Sequence, residues 1–247
     1  MIKTFNLTKL FQDRKRGKIR AVDDVNIECK PGEVFGLLGL NGAGKTTLMR
    51  LLSTVLMPTS GTAQVKGFDI LTQSQEVKSS IGFLSSDTAL YPRLTAGETV
   101  SYFGRLNGME ESAIDKRKEE IFKVFDMNWF KDQRVDKLSS GMKQKISLAR
   151  TIIHNPEVLI LDEPTLGLDV ITSKNIIQFI RRSKEENKCI LFSTHIMHEA
   201  EKLCDKIAII HKGKVLTVGT LEELRAKTGL KDLDDVFVKF VKGENES

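Results

Sequence analysis

The chain has 247 residues, of which 40% are hydrophobic and 29% are charged. This composition is ordinary for a globular protein and too apolar for a chain that is disordered throughout. The formal net charge of +5 suits nucleic acid, anionic lipid and phosphate ligands alike, so charge alone selects none of them. No run approaches the roughly 18 consecutive apolar residues of a membrane helix, and no signal-peptide pattern opens the chain, so we expect neither a membrane span nor secretion.

The first charged feature along the chain is the basic run Arg14-Lys15-Arg16. It can be read as an arm that binds nucleic acid, but runs of charge are more often solvated loops. We therefore predict a loop between two strands here and expect no nucleic-acid partner. The three cysteines form no C-x-x-C pair, which argues against a zinc site or a disulfide framework and fits a reducing cytoplasm.

Strand-like apolar stretches alternate with helical stretches along most of the chain, which predicts an α/β fold with an at least partly parallel sheet. Residues 24–29 alternate between apolar and polar side chains, as in a half-buried strand. Residues 34–38 and 158–161 are almost continuously apolar, which is typical of central parallel strands. Two more strands are predicted at residues 189–193 and 206–210, each after a charged helical stretch.

The sequence changes character between about residues 92 and 150. No strong strand pattern occurs there, and residues 110–124 combine dense charge with apolar positions at helical spacing. Pro156 follows Asn155 and marks the return to a strand, because proline disfavours helix in the residue before it. We therefore predict an inserted helical subdomain at residues 91–155.

A glycine-rich motif lies directly after the strand predicted at residues 34–38. Residues 39–46 match the pattern G-x-x-x-x-G-K-[ST] and precede a helical stretch. Glycines let the backbone curl so that successive N–H groups converge on phosphate oxygens, and the N-terminus of the following helix adds its positive dipole. Lys45 is predicted to bridge the terminal phosphates, and Thr46 to place its hydroxyl on a magnesium ion. The predicted nucleotide contacts are Asn41, Gly42, Ala43, Gly44, Lys45, Thr46 and Thr47.

The apolar strand at residues 158–161 ends in two carboxylates, Asp162 and Glu163. Asp162 occupies the place where phosphate-loop enzymes hold magnesium. Adjacent side chains on a strand point in opposite directions, so Glu163 is free to accept a proton from an attacking water as the general base. Without the glycine-rich motif, an acidic cap before Pro164 would be the favoured interpretation. Together, the two motifs favour nucleotide hydrolysis.

A third segment, residues 138–142, precedes a helical stretch with an apolar face and by itself predicts only a helix N-cap. With the glycine-rich motif before it, and with Asp162-Glu163 and His195 after it, the chain resembles the ATP-binding subunits of ATP-binding cassette (ABC) transporters. The resemblance extends over roughly residues 2–225, nearly the whole chain. In that family, segment 138–142 corresponds to the signature.

The resemblance implies an α/β fold with a phosphate-loop, RecA-like core and a mostly parallel sheet, an antiparallel β subdomain and an inserted helical subdomain. The core and β subdomain would occupy residues 1–90 and 156–225, the helical subdomain residues 91–155, and a C-terminal extension residues 226–247. ATP and Mg²⁺ are the implied cofactors. Hydrolysis of ATP to ADP and phosphate is the implied reaction.

The resemblance also assigns roles to single residues. Phe11 lies where the family has an aromatic ring that stacks on adenine, although an aromatic so near the N-terminus can equally belong to the core. Val22 is expected to pack beside the base or the ribose. His195 resembles the histidine that contacts the γ-phosphate, and Asp169 resembles the aspartate of a loop that ties one ATP site to the other across a dimer.

In the family, two cassettes form a head-to-tail dimer in which the signature of one chain completes the ATP site of the other. Ser139 and Gly141 are implied to meet the γ-phosphate across that interface, through a hydroxyl and a backbone N–H. The chain departs from the family pattern in two places. Ser86 stands where a glutamine usually touches magnesium and the membrane partner. In the signature, Ser140, Gly141 and Met142 stand where two glycines and a glutamine are usual. If the backbone at Ser140 must be left-handed, its Cβ costs about 1–2 kcal/mol, so we expect a weakened dimer.

The implied function is that of a homodimeric ATPase at the cytoplasmic face of the cell membrane, powering separate multi-spanning permease subunits. Residues 88–95 and 234–237 are similar to those of cassettes that serve exporters of drugs, lipids, polysaccharides or sodium ions, and sodium efflux is the narrower expectation. One alternative is a soluble cassette that acts in iron–sulfur assembly, in DNA repair or on the ribosome. Another is a phosphate-loop kinase, which should lack the signature segment.

Overall fold

A computed structural model describes residues 1–13, 17–85 and 89–245. The basic run at residues 14–16 and Ser86 lie outside the described residues, so the predictions made for them stay predictions. The strands are β1 (Ile2–Asp13), β2 (Gly17–Val25), β3 (Glu28–Cys29), β4 (Val34–Leu38), β5 (Ser60–Val65), β6 (Phe68–Asp69), β7 (Ile81–Leu84), β8 (Val158–Asp162), β9 (Cys189–Thr194), β10 (Lys206–His211) and β11 (Lys214–Gly219). The helices are α1 (Lys45–Leu52), α2 (Ser74–Ser80), α3 (Ala96–Leu106), α4 (Glu111–Val124), α5 (Ser140–Ile152), α6 (Val170–Glu185), α7 (Met197–Leu203), α8 (Leu221–Thr228) and α9 (Leu233–Asn245).

A six-stranded sheet has the strand order β11-β10-β4-β9-β8-β7. The pairs from β10 to β7 are parallel, and β11 pairs antiparallel with β10. Every residue of β4 and β8 is buried, and their apolar side chains enter hydrophobic clusters on both faces of the sheet. The predicted α/β fold with a mostly parallel sheet is confirmed.

A second sheet is antiparallel and contains β2, β1, β5 and β6 in that order, with β3 paired to β1. The strand predicted at residues 24–29 is divided between the end of β2 and β3. Asp24 has a left-handed φ of 52°, which interrupts the extended backbone. Beyond it, the Ile27 N–H donates at 2.8 Å to the side-chain hydroxyl of Thr4 on β1 instead of to a backbone carbonyl.

Three helices, α3, α4 and α5, lie between β7 and β8 in the chain and pack against one another. α4 agrees with the helix predicted at residues 110–124. α3 begins with a capping box, in which the Thr95 side chain accepts from the Glu98 N–H and the Glu98 side chain accepts from the Thr95 N–H. Among the described residues, none of these or the other helices is both long and apolar enough to cross a membrane. The subdomain boundaries stay predictions.

The carboxyl ends of β4, β9 and β8 lie side by side, because these neighbouring strands are parallel. Their register pairs Leu38 with Thr194 and Asp162 with Ser193. The segments that follow the three strands carry the glycine-rich motif, His195 and Glu163. The topology therefore brings three predicted site groups to one edge of the sheet, where α/β proteins usually bind ligands.

Candidate active site

The glycine-rich motif forms a loop between β4 and α1. Gly44 has a left-handed φ of 110°, and a Cβ at this position would collide with the Ala21 carbonyl oxygen. Backbone conformation and space therefore both require glycine here. The Lys45 ammonium donates to the carbonyl oxygens of Gly39 at 2.7 Å and Leu40 at 3.2 Å. The loop thus wraps around a cation at the start of a helix, an arrangement suited to phosphate oxygens.

Glu163 lies between this cation and an imidazole. Its Oε1 is 3.1 Å from Lys45 Nζ, and its Oε2 is 3.1 Å from His195 Nδ1. The Glu163 side chain is 13% exposed and that of His195 31%, so the row of three groups is most accessible at the histidine. Glu163 also has a left-handed φ of 45°, which costs a non-glycine residue about 1–2 kcal/mol. Strain of this kind persists where surrounding contacts enforce it, often at functional sites.

Asp162 is buried and is held by two hydroxyl groups. Thr46 Oγ1 donates to Asp162 Oδ2 at 2.7 Å, and Ser193 Oγ donates to Asp162 Oδ1 at 2.6 Å. The Ser193 hydroxyl in turn accepts from the Glu163 N–H at 3.0 Å. One serine therefore positions both the buried carboxylate and the backbone of the candidate base.

No role was predicted for Ser193, although the sequence carried a signal. Ser193 and Thr194 end a strand that is otherwise apolar, directly before His195. Buried hydroxyl groups almost always have hydrogen-bond partners, so a serine at such a place indicates a polar neighbour. The identity of that neighbour depends on the order of the strands in the sheet.

The Thr46 hydroxyl and the Asp162 carboxylate fit a Mg²⁺ site, since this ion prefers oxygen donors and usually takes few protein ligands beside phosphate and water. Over residues 1–13, 17–85 and 89–245, no group of three or more His, Cys, Asp or Glu side chains is arranged to hold a metal ion. These two side chains, together with the phosphates of the nucleotide, would hold the ion, and the predicted ligand Ser86 lies outside the described residues.

A cleft of about 360 Å³ opens beside the phosphate loop. Its lining residues are Ile19, Arg20, Ala21, Asn41, Gly42, Gly44, Lys45, Thr46, Thr47, Glu163 and Lys212. Most of the predicted loop contacts are in this set, but Ala43 is buried in the core and is not. The wall formed by Ile19, Arg20 and Ala21 was not predicted, and neither was Lys212, because these residues belong to no motif.

The structure corrects the prediction that Val22 packs beside the base or the ribose. Val22 has 0% exposure and packs in the hydrophobic core, whereas Ala21 lies on the cleft, because successive side chains of a strand point to opposite faces. Phe11 is 39% exposed and pairs with Ile19 across β1 and β2. The Lys9 ammonium is 5.3 Å from the centre of the Phe11 ring. The ring is exposed but does not line the cleft, and its stacking on adenine stays a prediction.

Segment 138–142 forms the start of α5. The Ser139 hydroxyl accepts from the Met142 N–H at 3.3 Å, so Ser139 is the N-cap. Ser140 lies in the first turn of the helix, and neither Ser140 nor Gly141 has a left-handed φ. The expectation of left-handed strain at Ser140 is therefore wrong, because a helical backbone accommodates a Cβ without cost.

Asp169 caps α6 beside this segment. Its carboxylate accepts from the N–H groups of Thr172 and Ile171, both at 2.9 Å, and from the Thr172 hydroxyl at 2.8 Å. These hydrogen bonds, those from Thr172 foremost, hold the pKa of Asp169 below its ordinary value. A Cβ at Gly141 would lie 3.5 Å from Asp169 Oδ2, so α5 and α6 begin side by side. Two predicted interface residues therefore share one corner of the molecule.

Comparison with known proteins agrees with this geometry. Residues 22–166 match the family model described as ABC transporter. The chain is 44% identical to the ABC transporter ATP-binding protein NatA of Bacillus subtilis (strain 168), over 98% of this chain and 99% of NatA. It is 32% identical to the linearmycin resistance ATP-binding protein LnrL of the same organism, over 100% of this chain and 77% of LnrL.

Among solved structures, the dimeric bacterial ABC transporter cassette MJ0796 is similar with a TM-score of 0.82 and 26% identity, over 89% of this chain and 98% of that one. The region matched by the family model contains the phosphate loop, segment 138–142 and the Asp162-Glu163 pair. On these matches, the chain belongs to the ABC transporter family as an ATP-binding and ATP-hydrolysing subunit.

Proposed function

We propose that the chain is the motor of an efflux transporter, in which two copies close on ATP and hydrolyse it with Glu163 as the general base. The observation that carries this proposal is the position of the Glu163 carboxylate, which contacts Lys45 and His195 at 3.1 Å each beside the phosphate loop. A carboxylate in this place is within reach of a water molecule that attacks a phosphate bound to the loop.

Each residue of the site has its own task in this proposal. Lys45 and the N–H groups of the loop hold the terminal phosphates. Thr46 and Asp162 would hold Mg²⁺, which neutralises the charge that develops on the phosphates during transfer. Glu163 takes a proton from the attacking water, while His195 orients the Glu163 carboxylate and contacts the γ-phosphate.

The dimer is proposed from the corner where α5 and α6 begin. Ser139 and Asp169 cap these two helices, and a helix N-terminus favours an anion. In the proposed dimer, the Ser139 hydroxyl and the Gly141 N–H of one chain meet the γ-phosphate held by the other chain. The solved dimer of the related cassette MJ0796 supports such a pairing. ATP would then bind the two chains together, and its hydrolysis would release them.

The motor is proposed to act at the cytoplasmic face of the cell membrane, docked to a separate multi-spanning permease. Membership of the transporter family supports this partner. The relative named for linearmycin resistance supports a drug as the exported cargo. Sodium ion is the narrower proposal, which comes from the sequence resemblance.

Replacing Glu163 with Gln tests the motor. The amide has the size of the carboxylate but cannot accept a proton, so ATP should bind without being hydrolysed and dimers should accumulate. Light scattering of the purified chain with ATP and Mg²⁺ measures this directly. Glu157→Gln is a matched control, because Glu157 lies just before β8 and its exposed carboxylate pairs with Lys66. Turnover of ATP at the parent rate by the Glu163→Gln chain would show that another group is the base.

Cells whose own copy carries Glu163→Gln test the direction and the cargo. We expect these cells to retain more sodium ion, or more of a fluorescent drug, than cells that carry Glu157→Gln. Retention of sodium alone would identify an ion exporter, and retention of the drug alone a drug exporter. If the Glu163→Gln cells retained no more of either probe than the Glu157→Gln cells, efflux would be contradicted. The hydrolysis measured on the purified chain would still decide the role of Glu163.

A further inference from the structure

Two of the three cysteines meet in the interior of the molecule. Cys29 lies on β3 and Cys189 begins β9, 160 residues later, yet their sulfur atoms are 3.2 Å apart. Both side chains are buried, and the Cys189 thiol also contacts the Cys29 carbonyl oxygen at 3.5 Å. Both cysteines are free thiols, so the pair is a buried dithiol.

The dithiol lies where the two sheets join. β3 belongs to the antiparallel sheet through β1, and β9 belongs to the parallel sheet. Two backbone hydrogen bonds hold the segments together, from the Gly32 N–H to the Lys188 carbonyl and from the Ile190 N–H to the Glu33 carbonyl, both at 3.0 Å. Because a disulfide has a sulfur–sulfur distance of about 2.05 Å, the sulfur atoms must approach by about 1 Å for the bond to form.

Cys189 is 1% exposed and borders a cleft that opens to solvent. It is one of the residues that line an open cleft of about 430 Å³, together with Lys66 and Lys188. The hydrogen bond with Cys29 lowers the pKa of the Cys189 thiol, and a thiolate is the species that reacts with oxidants. Burial acts in the opposite direction on both Cys189 and Cys204; at Cys204 it is the largest influence and raises the pKa of the thiol, whereas at Cys189 the hydrogen bond outweighs it.

We propose that Cys29 and Cys189 form a redox-active dithiol, which hydrogen peroxide converts into an intramolecular disulfide between the two sheets. The Cys189 thiolate attacks one peroxide oxygen, the O–O bond breaks, hydroxide leaves, and Cys189 becomes a sulfenic acid. The Cys29 sulfur then attacks the Cys189 sulfur, the S–O bond breaks, and the departing oxygen takes the Cys29 proton to leave as water. In total, two thiols and one peroxide give one disulfide and two waters.

The disulfide constrains the protein without entering the active site. It closes a loop of 160 residues, and such a constraint on the unfolded chain raises the temperature of unfolding. Cys189 is the first residue of β9, whereas His195 directly follows its last residue. The disulfide therefore forms at the end of the strand that is far from the phosphate loop. We expect the oxidised chain to unfold at a higher temperature and to bind ATP with the same affinity as the reduced chain.

Thiol counting on the full chain tests the proposal. The reduced protein is treated with hydrogen peroxide, denatured and exposed to an alkylating reagent. We expect a single alkylated cysteine, Cys204, and a proteolytic fragment in which Cys29 is linked to Cys189. A thiol reductant should restore alkylation at all three positions.

Two variants, Cys204→Ser and Cys29→Ser, complete the test, and free glutathione serves as the reference thiol. Cys204→Ser is the matched control and should form the same disulfide, whereas Cys29→Ser should leave a sulfenic acid at Cys189 that dimedone traps. The proposal is overturned if peroxide oxidises Cys204 first, links two chains to each other, or leaves the pair reduced at a concentration that oxidises free glutathione. The fragment map of the parent chain decides these outcomes even if a variant fails to fold.

Discussion

Removing the Ser193 hydroxyl should separate the assembly of the active site from the binding of nucleotide. Ser193 donates to the buried Asp162 carboxylate at 2.6 Å and accepts from the Glu163 N–H at 3.0 Å. Ser193→Ala deletes both bonds and leaves a buried carboxylate oxygen and an N–H without this partner. Lys45 and the phosphate loop keep all of their contacts.

The size of the effect follows from the two bonds. A hydrogen bond to a charged group contributes roughly 1.5–3 kcal/mol, and one between neutral groups roughly 0.5–1.5 kcal/mol. The free energy of unfolding should therefore fall by about 2–4.5 kcal/mol. Groups that orient a metal-binding carboxylate typically affect activity by about 10- to 100-fold, so we expect kcat to fall by that factor, with little change in the Kd for ATP.

Thr4→Ala is the matched control for a purely structural effect. The buried Thr4 hydroxyl also donates one bond and accepts another, to the Val25 carbonyl and from the Ile27 N–H, both at 2.8 Å. Val25 ends β2 and Ile27 directly precedes β3, so both partners belong to the region of the antiparallel sheet. Thr4→Ala should therefore lower stability and leave kcat near the parent value. Denaturant unfolding, steady-state hydrolysis at several Mg²⁺ concentrations and an ATP titration measure the three quantities on both variants.

A parent-like kcat for Ser193→Ala, with a loss of stability similar to that of Thr4→Ala, would refute the positioning role. A large rise in the Kd for ATP would also refute the reasoning, because it would show that the serine supports the phosphate loop. The expected pattern is a loss of kcat accompanied by a higher half-saturating Mg²⁺ concentration, since Asp162 would be less well oriented.

Lys45→Ala should raise the Kd for ATP by at least about tenfold, since charge-assisted hydrogen bonds are worth roughly 1.5–3 kcal/mol, and an unchanged titration would exclude binding of phosphate by this loop. Phe11→Ala should weaken the binding of ATP and of GTP alike by about 1–3 kcal/mol, because stacking tolerates any base. Phe5 is similarly exposed on the same strand, so Phe5→Ala is the control and should change the binding of neither nucleotide. A loss confined to ATP would mean that Phe11 reads the edge of the base. Ser140→Gly in a Glu163→Gln background should leave ATP-dependent dimerisation unchanged or make it weaker. Residue 140 is helical, and glycine is less favourable than serine in a helix by about 0.5 kcal/mol. If sedimentation showed that Ser140→Gly lowers the ATP concentration needed for dimerisation by about tenfold, backbone strain at Ser140 would again be the explanation.

Much of the fold follows from interactions between near neighbours in the chain. The runs at 34–38 and 158–161 predict buried parallel strands because an apolar side chain on each face of a strand needs a covered sheet. The loop at 39–46 is predictable for a similar reason, since strand, loop and helix N-terminus are consecutive and Gly44 supplies the left-handed backbone locally. Its lysine and threonine are placed by the loop itself.

Contacts between distant residues were decided by the order of the strands. Sequence spacing alone does not show that β9 lies between β4 and β8, and only that order brings Ser193 to Asp162. The same packing buries Val22 and puts Ile19 on the cleft. The start of α5 is instead local, because the Ser139 side chain caps the helix and leaves Ser140 in its first turn. The sequence therefore determined which chemical groups the site contains. Their partners were decided by tertiary structure, because a hydrogen bond between strands exists only after the sheet has placed those strands side by side.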